Sequence, residues 1–200
     1  MDEIKKEVRA LTNAITSNDE QLEGRVVEGY ALRFGQPSQD MGFIETISPD
    51  AISEETIKNS DIYARLNHRE DTVLARSRYG EGSLELEIDE FGLKYRFVAP
   101  NTELGDTLLE HLRRKEISSS SFAFSLDAND KNCQRWYRDE NKTLCREIKK
   151  IHRLYDVSPV FEPAYLSTSC SARDAEDAMV EFAETVEKTM DENDSLIDGL

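Results

Sequence analysis

GSLELEIDEFGLKYRFVA, residues 82–99, contains two strands and the turn that joins them. Leu84, Leu86 and Ile88 alternate with polar residues, and Leu93, Tyr95 and Phe97 do the same on the far side of Asp89-Glu-Phe-Gly92. Successive side chains of a strand point to opposite faces, so each run has one apolar and one polar face. The Gly-containing segment between them turns the chain back into a hairpin.

Immediately downstream the period changes. In TELGDTLLEHLRRKEI, residues 102–117, leucines recur every four residues at Leu104, Leu108 and Leu112, with Asp106 early and Arg113, Arg114 and Lys115 late. That spacing predicts an amphipathic helix whose charges complement its macrodipole. Strand character resumes in SSSSFAFSL (118–126), in CQRWYRD and TLCREIKKI around a DENK turn (139–142), and in RLYDVSPVF (153–161). Upstream, from about residue 24, short runs rich in Val, Tyr, Phe and Ile are broken by Gly, Asn and Asp, again the mark of strands and turns.

The ends differ from this body. Ile4, Val8, Leu11 and Ile15 follow a helical spacing that predicts an amphipathic helix over residues 2–16, and the polar run after it reads as a linker. Residues 171–200 contain ten acidic and two basic residues, with Ala175, Ala178, Phe182 and Val186 on one helical stripe. The expected layout is an N-terminal helix and linker (1–23), one β-rich domain (24–170) and an acidic helical tail (171–200). The fold class is α+β or mainly β, compatible with a barrel.

Composition narrows the function. The chain of 200 residues has 41 acidic and 25 basic residues, a formal charge of −16. That sign repels nucleic acid and anionic lipid, so neither is expected as a partner. No run reaches the roughly 20 apolar residues needed to cross a bilayer, and MDEIKKEVRALTNAI is too charged for a signal-peptide core, so a soluble intracellular protein is expected. Cys133, Cys145 and Cys170 form no CxxC pair and read as free thiols. DANDKN (127–132) has oxygens at calcium-loop spacing but lacks the Gly and the distal Glu, and reads as a turn. No metal or cofactor is expected.

Alternation divides SSSSFAFSL into Ser120, Phe122, Phe124 and Leu126 on one face and Ser119, Ser121, Ala123 and Ser125 on the other. Phenylalanines anchoring the strand from behind would hold a serine hydroxyl rigidly among small neighbours, as a nucleophile requires. A solvated edge strand explains the same serines. Three histidines could supply the base. His111 sits near the end of the amphipathic helix and His152 among cations, whereas His68 follows IYARLN at the end of a strand and opens a polar turn. A surface histidine in a turn would look the same. An acid must orient the imidazole. If residues 132–148 form a hairpin, the returning chain brings Asp156 beside Ser121; Glu147 and His152 stay open as third members, and Asp156 could instead pair with Arg153.

These segments, in order, resemble the caudovirus prohead protease family, whose members are similar in fold to the herpesvirus assemblins. The resemblance runs from Glu28 to Arg173 through EGYALRF, FIETISPDAI, LNHREDTVLARS, the helix leading into RRKEISSSSFAF, and REIKKIHRLYDVSPVFEPAYLSTS. It assigns the family's histidine to His68, its nucleophile to Ser121 and its acid to Asp156, where members more often have Glu. The serine run departs from the Gly or Met that members commonly have before the nucleophile, leaving Ser118, Ser119 and Ser120 as alternatives. The resemblance implies a compact antiparallel β-barrel flanked by helices. It also implies a cofactor-free serine endopeptidase that cuts scaffold segments or the major capsid protein, and itself, inside the assembling procapsid in the host cytoplasm. By analogy with assemblins, backbone N–H groups around Pro163, Ala164 and Tyr165 would stabilise the oxyanion. Self-association is compatible with this reading. The competing class is a non-enzymatic capsid-assembly or scaffold factor with a protease-like body, whose acidic tail organises basic capsid surfaces.

Overall fold

The first residues depart from the helix that their spacing predicts. In the computed structural model, which describes residues 6–11, 15–18 and 24–161, Glu7–Leu11 is a strand, β1, and Ile15–Asn18 is a second, β2. The helical stripe loses to tertiary context: only an extended chain puts Glu7 and Arg9 on one face, where both meet buried charges of opposite sign. The linker expected from residue 16 is therefore strand through Asn18.

Next come β3 (Val26–Arg33), β4 (Ile44–Ile47), helix α1 (Glu54–Lys58), β5 (Asp61–Arg65), β6 (Val73–Arg78) and the two-residue β7 (Glu81–Gly82). The alternating runs are β8 (Leu84–Ile88) and β9 (Gly92–Val98), followed by helix α2 (Glu103–Arg113). The chain continues as β10 (Ser119–Ser125), the hairpin β11 (Gln134–Arg138) and β12 (Leu144–Ile148), and β13 (Arg153–Val160). Thr102 caps α2 by accepting the N–H of Gly105, and Leu108 and Leu112 bury the stripe read from sequence.

The strands form three sheets, ordered β1-β10-β13-β5-β6-β7, β11-β12-β4 and β2-β3-β9-β8. Among the described residues each sheet is open, and no pairing closes one into a barrel. The fold is mainly β. Leu84 faces Phe97 and Ile88 faces Leu93 across the β8–β9 hairpin, the register that puts Leu93, Tyr95 and Phe97 of β9 on the inner face. At the turn, Gly92 has φ +159, and an added Cβ would come 2.0 Å from the Leu32 carbonyl oxygen, so glycine is required there.

One apolar core, including Val27, Leu32, Ile62, Tyr95, Phe97, Phe122, Phe124, Ile148 and Val157, joins all three sheets and takes in Leu108 of α2. Each such side chain contributes roughly 1.5–3 kcal/mol by burial. That core holds β10 and β13 rigidly from behind, which fixes whatever their other face carries.

Candidate active site

β10, β13 and β5 are neighbours in the large sheet; β10 carries Ser121, β13 carries Asp156 and Ser158, and the turn that follows β5 carries His68. The β11–β12 hairpin returns the chain so that β13 runs antiparallel to β10, with Ser121 opposite Ser158 and Ala123 opposite Asp156. Strand alternation then puts Ser121, Ser158 and Asp156 on one face, while Phe122 and Phe124 stack in the core with ring centroids 5.3 Å apart. β10 is not the solvated edge strand that its serines also allow, because all seven of its residues are buried.

β13 also pairs with β5, and the chain leaving β5 makes a tight turn through Leu66–His68. Buried Leu66 anchors it, and Thr72 ties it shut by donating from Oγ1 to the Leu66 and Arg69 carbonyls at 2.8 and 2.9 Å. Asn67 and His68 both take left-handed backbone conformations, φ +59 and +60. Asn and His tolerate that region better than most residues, and two in succession store strain that the clamped turn must hold. The turn aims the His68 ring back over the sheet.

There His68 Nε2 lies 2.6 Å from Ser121 Oγ and Nδ1 lies 2.6 Å from Asp156 Oδ1. Asp156 is fully buried; its Oδ1 also accepts from Ser158 Oγ at 2.9 Å, and its Oδ2 accepts from Lys6 Nζ at 3.4 Å. Burial alone would raise the Asp156 carboxyl, but the hydrogen bond and charge of His68, with Lys6 and Ser158, hold it below the usual carboxylate range. An ionised carboxylate at Nδ1 can only accept, so Nδ1 carries a proton and a neutral ring has Nε2 free to take one from Ser121.

The remaining candidates lie elsewhere. Ser120 points to the opposite face and donates to Tyr95 Oη at 2.8 Å, and Ser119 sits opposite Val160. Glu147, on β12, pairs with Lys149, and exposed His152 uses its backbone N–H on the Ser125 carbonyl. His111 lies 2.6 Å from Glu116 on the surface. The Asp127 and Asp130 side chains accept turn N–H groups from Asn129 and Asn132. Among the described residues no cluster of His, Cys, Asp or Glu is arranged to hold a metal ion, and no helix is long and apolar enough to cross a membrane. Ala164 and Tyr165 lie outside the described residues, as do Cys170 and the acidic tail.

Ser158, Lys6 and β1 escape sequence reasoning. The first had a signal, since Asp156-Val-Ser158 puts an acid and a hydroxyl on one strand face. β1 had none, and it covers the site: it pairs antiparallel with β10, Ala10 opposite Ser121, and the Arg9 carbonyl accepts from Ser121 Oγ at 2.8 Å.

Against known proteins, the model of the caudovirus prohead serine protease family matches residues 12–182. Among solved structures, the bacteriophage T4 capsid assembly protease aligns with a TM-score of 0.49 and 11% identity, covering 80% of this chain and 99% of that one. No curated protein matches significantly.

Proposed function

The chain belongs to the caudovirus prohead serine protease family, and from that premise we propose that Ser121 is its nucleophile, His68 its general base and Asp156 the residue that orients the base. The observation that carries this reading is the continuous chain of 2.6 Å contacts from Ser121 Oγ through His68 to buried Asp156. A protease role in phage capsid maturation follows from the family.

His68 Nε2 takes the Ser121 proton as Oγ attacks the scissile carbonyl carbon, and Asp156 stabilises the imidazolium that results. As the C–N bond breaks, His68 returns that proton to the leaving amine. Water then attacks the acyl carbon, gives a proton to Nε2, and displaces Ser121 Oγ, which regains its proton. No metal or cofactor enters. Backbone N–H groups near Ala164 and Tyr165 are the proposed oxyanion donors. The natural substrates are the capsid protein and its scaffold segment, inside the assembling procapsid in the host cytoplasm. The acidic 171–200 segment serves as an arm outside the catalytic unit.

Prolonged incubation with a fluorophosphonate, read by peptide mass, tests the assignment. One adduct on Ser121, lost in His68→Ala, is expected. An adduct on Ser118, Ser119 or Ser120 would move the nucleophile, and a His68→Ala protein that labels as fast as the wild type would remove the base.

A further inference from the structure

Ser121 has no exposed surface, so no substrate reaches it in this conformation. What covers it is β1, the outermost strand of its sheet, lying along β10 as an incoming extended peptide would if it added a strand to a free edge. We propose that β1 occupies the substrate-binding edge of this protease, and that the buried Glu45–Arg146 pair selects what binds there: an extended segment with an acid two residues before an arginine, presenting the bond after the arginine. This rests on the reading of Ser121 as nucleophile.

The side chains of β1 carry the selection. Glu45 on β4 and Arg146 on β12 face each other across a parallel strand pair, 3% and 6% exposed, and bond at 3.0 Å. They belong to the body of the protein whether or not β1 is present. Onto them β1 docks two residues of one strand face. Arg9 forks onto Glu45 through Nε at 2.6 Å and Nη2 at 2.9 Å. Arg146 forks onto Glu7 from Nη1 at 2.6 Å and Nη2 at 2.9 Å. Two parallel charge-assisted bonds on each side make the match directional. A segment with the order reversed would bring acid to Glu45 and base to Arg146, and buried like charges are strongly disfavoured. Beside β1, a cavity of about 100 Å³ bordered by Ala10, Leu11, Gln36, Ser38 and Phe122 leaves room for side chains larger than those of Ala10 and Leu11 after the arginine.

The backbone of β1 explains why its own bond survives. Ser121 has one hydroxyl proton, and Oγ lies near two acceptors, His68 Nε2 and the Arg9 carbonyl oxygen. A proton given to Arg9 is not available to His68. In that contact the hydroxyl also meets the carbonyl oxygen and not the carbon that must be attacked. β1 therefore holds the enzyme latent by imitating a substrate in an unproductive pose, and its displacement uncovers both Ser121 and the Glu45–Arg146 pair.

The test uses the full chain carrying Arg9→Glu, which sets an acid against Glu45 and weakens β1, together with Ser121→Ala to prevent cutting. Binding of fluorescent peptides is read by anisotropy. Glu-Val-Arg-Ala-Leu is expected to bind at least about tenfold more tightly than its citrulline counterpart or than Arg-Val-Glu-Ala-Leu, and at least about tenfold more tightly to the Arg9→Glu protein than to one with intact β1. Equal affinity for the three peptides, or equal binding with β1 intact, would overturn the proposal. If Arg9→Glu does not melt cooperatively, Arg9→Ala is measured by the same criteria. With Ser121 restored, cutting after the arginine is expected, and cutting at another bond would also overturn it. Selective binding without any cutting would leave the edge assignment standing and count against the Ser121 reading alone.

Discussion

The serine strand β10 has two flanks, and they are built differently. On the β13 side, the Asp156 carboxylate is fixed by His68 and Ser158, and the strand behind it is locked into the core by Leu154 and Val157. On the β1 side, the contact rests on ladder bonds, on Lys6 just before the strand reaching Asp156 at 3.4 Å, and on four interlocked charges, Glu7, Arg9, Glu45 and Arg146, with Val8 exposed on the outer face. Apolar packing cannot be exchanged for another sequence without loss, whereas a ladder and matched charges accept any chain with the same pattern. One flank holds the chemistry still, and the other is suited to letting a strand come and go.

Damage to the first flank should appear in rate. Asp156→Asn keeps the shape but no longer enforces an Nδ1 proton, and a fall of about 10⁴ in the rate of peptide hydrolysis is expected, with the melting temperature changed far less. A loss below tenfold would show that the two flanks are not divided in this way.

Damage to the second should appear first in stability. Glu45→Ala leaves the Arg9 and Arg146 guanidinium groups buried without their shared carboxylate, which should cost about 3–5 kcal/mol by denaturant titration. A cost under about 1 kcal/mol would mean that solvent already reaches the cluster.

Acid should release β1 before it unfolds the rest. Burial would raise the Glu7 carboxyl, but hydrogen bonds and charge from Arg146 and Arg9 outweigh it and lower its value from 4.5 to about 2. A depressed folded value means stability that is complete above the unfolded value and lost as pH falls between 4.5 and about 2. Hydrogen exchange along β10 should accelerate over that window, and Glu7→Gln should flatten the dependence. An unchanged slope in that variant would remove Glu7 from the docking of β1.

Much of this was legible in the sequence. Alternation identified β8 and β9, a leucine period of four identified α2, and the split of SSSSFAFSL into two faces separated Ser121 from Ser120. The hairpin at 134–148 brought Asp156 beside the serine strand as its spacing suggested. These readings succeed because each depends on periodicity within a single segment. The strand β1 was misread because Val8, Leu11 and Ile15 fit a helical stripe, and the partners that decide otherwise, Glu45 and Arg146, are far away in sequence. The left-handed backbone at Asn67 and His68 had only a weak signal, because Asn and His tolerate that region but carry none of the glycine that usually marks it.

Whether Ser121 cuts capsid protein is tested by the intact mass of the major capsid protein of the same phage after co-expression with wild-type enzyme or with Ser121→Ala. A shortened capsid protein is expected with the wild type and a full-length one with Ser121→Ala, which should remain folded. Shortening that persists with Ser121→Ala would contradict the Ser121 assignment.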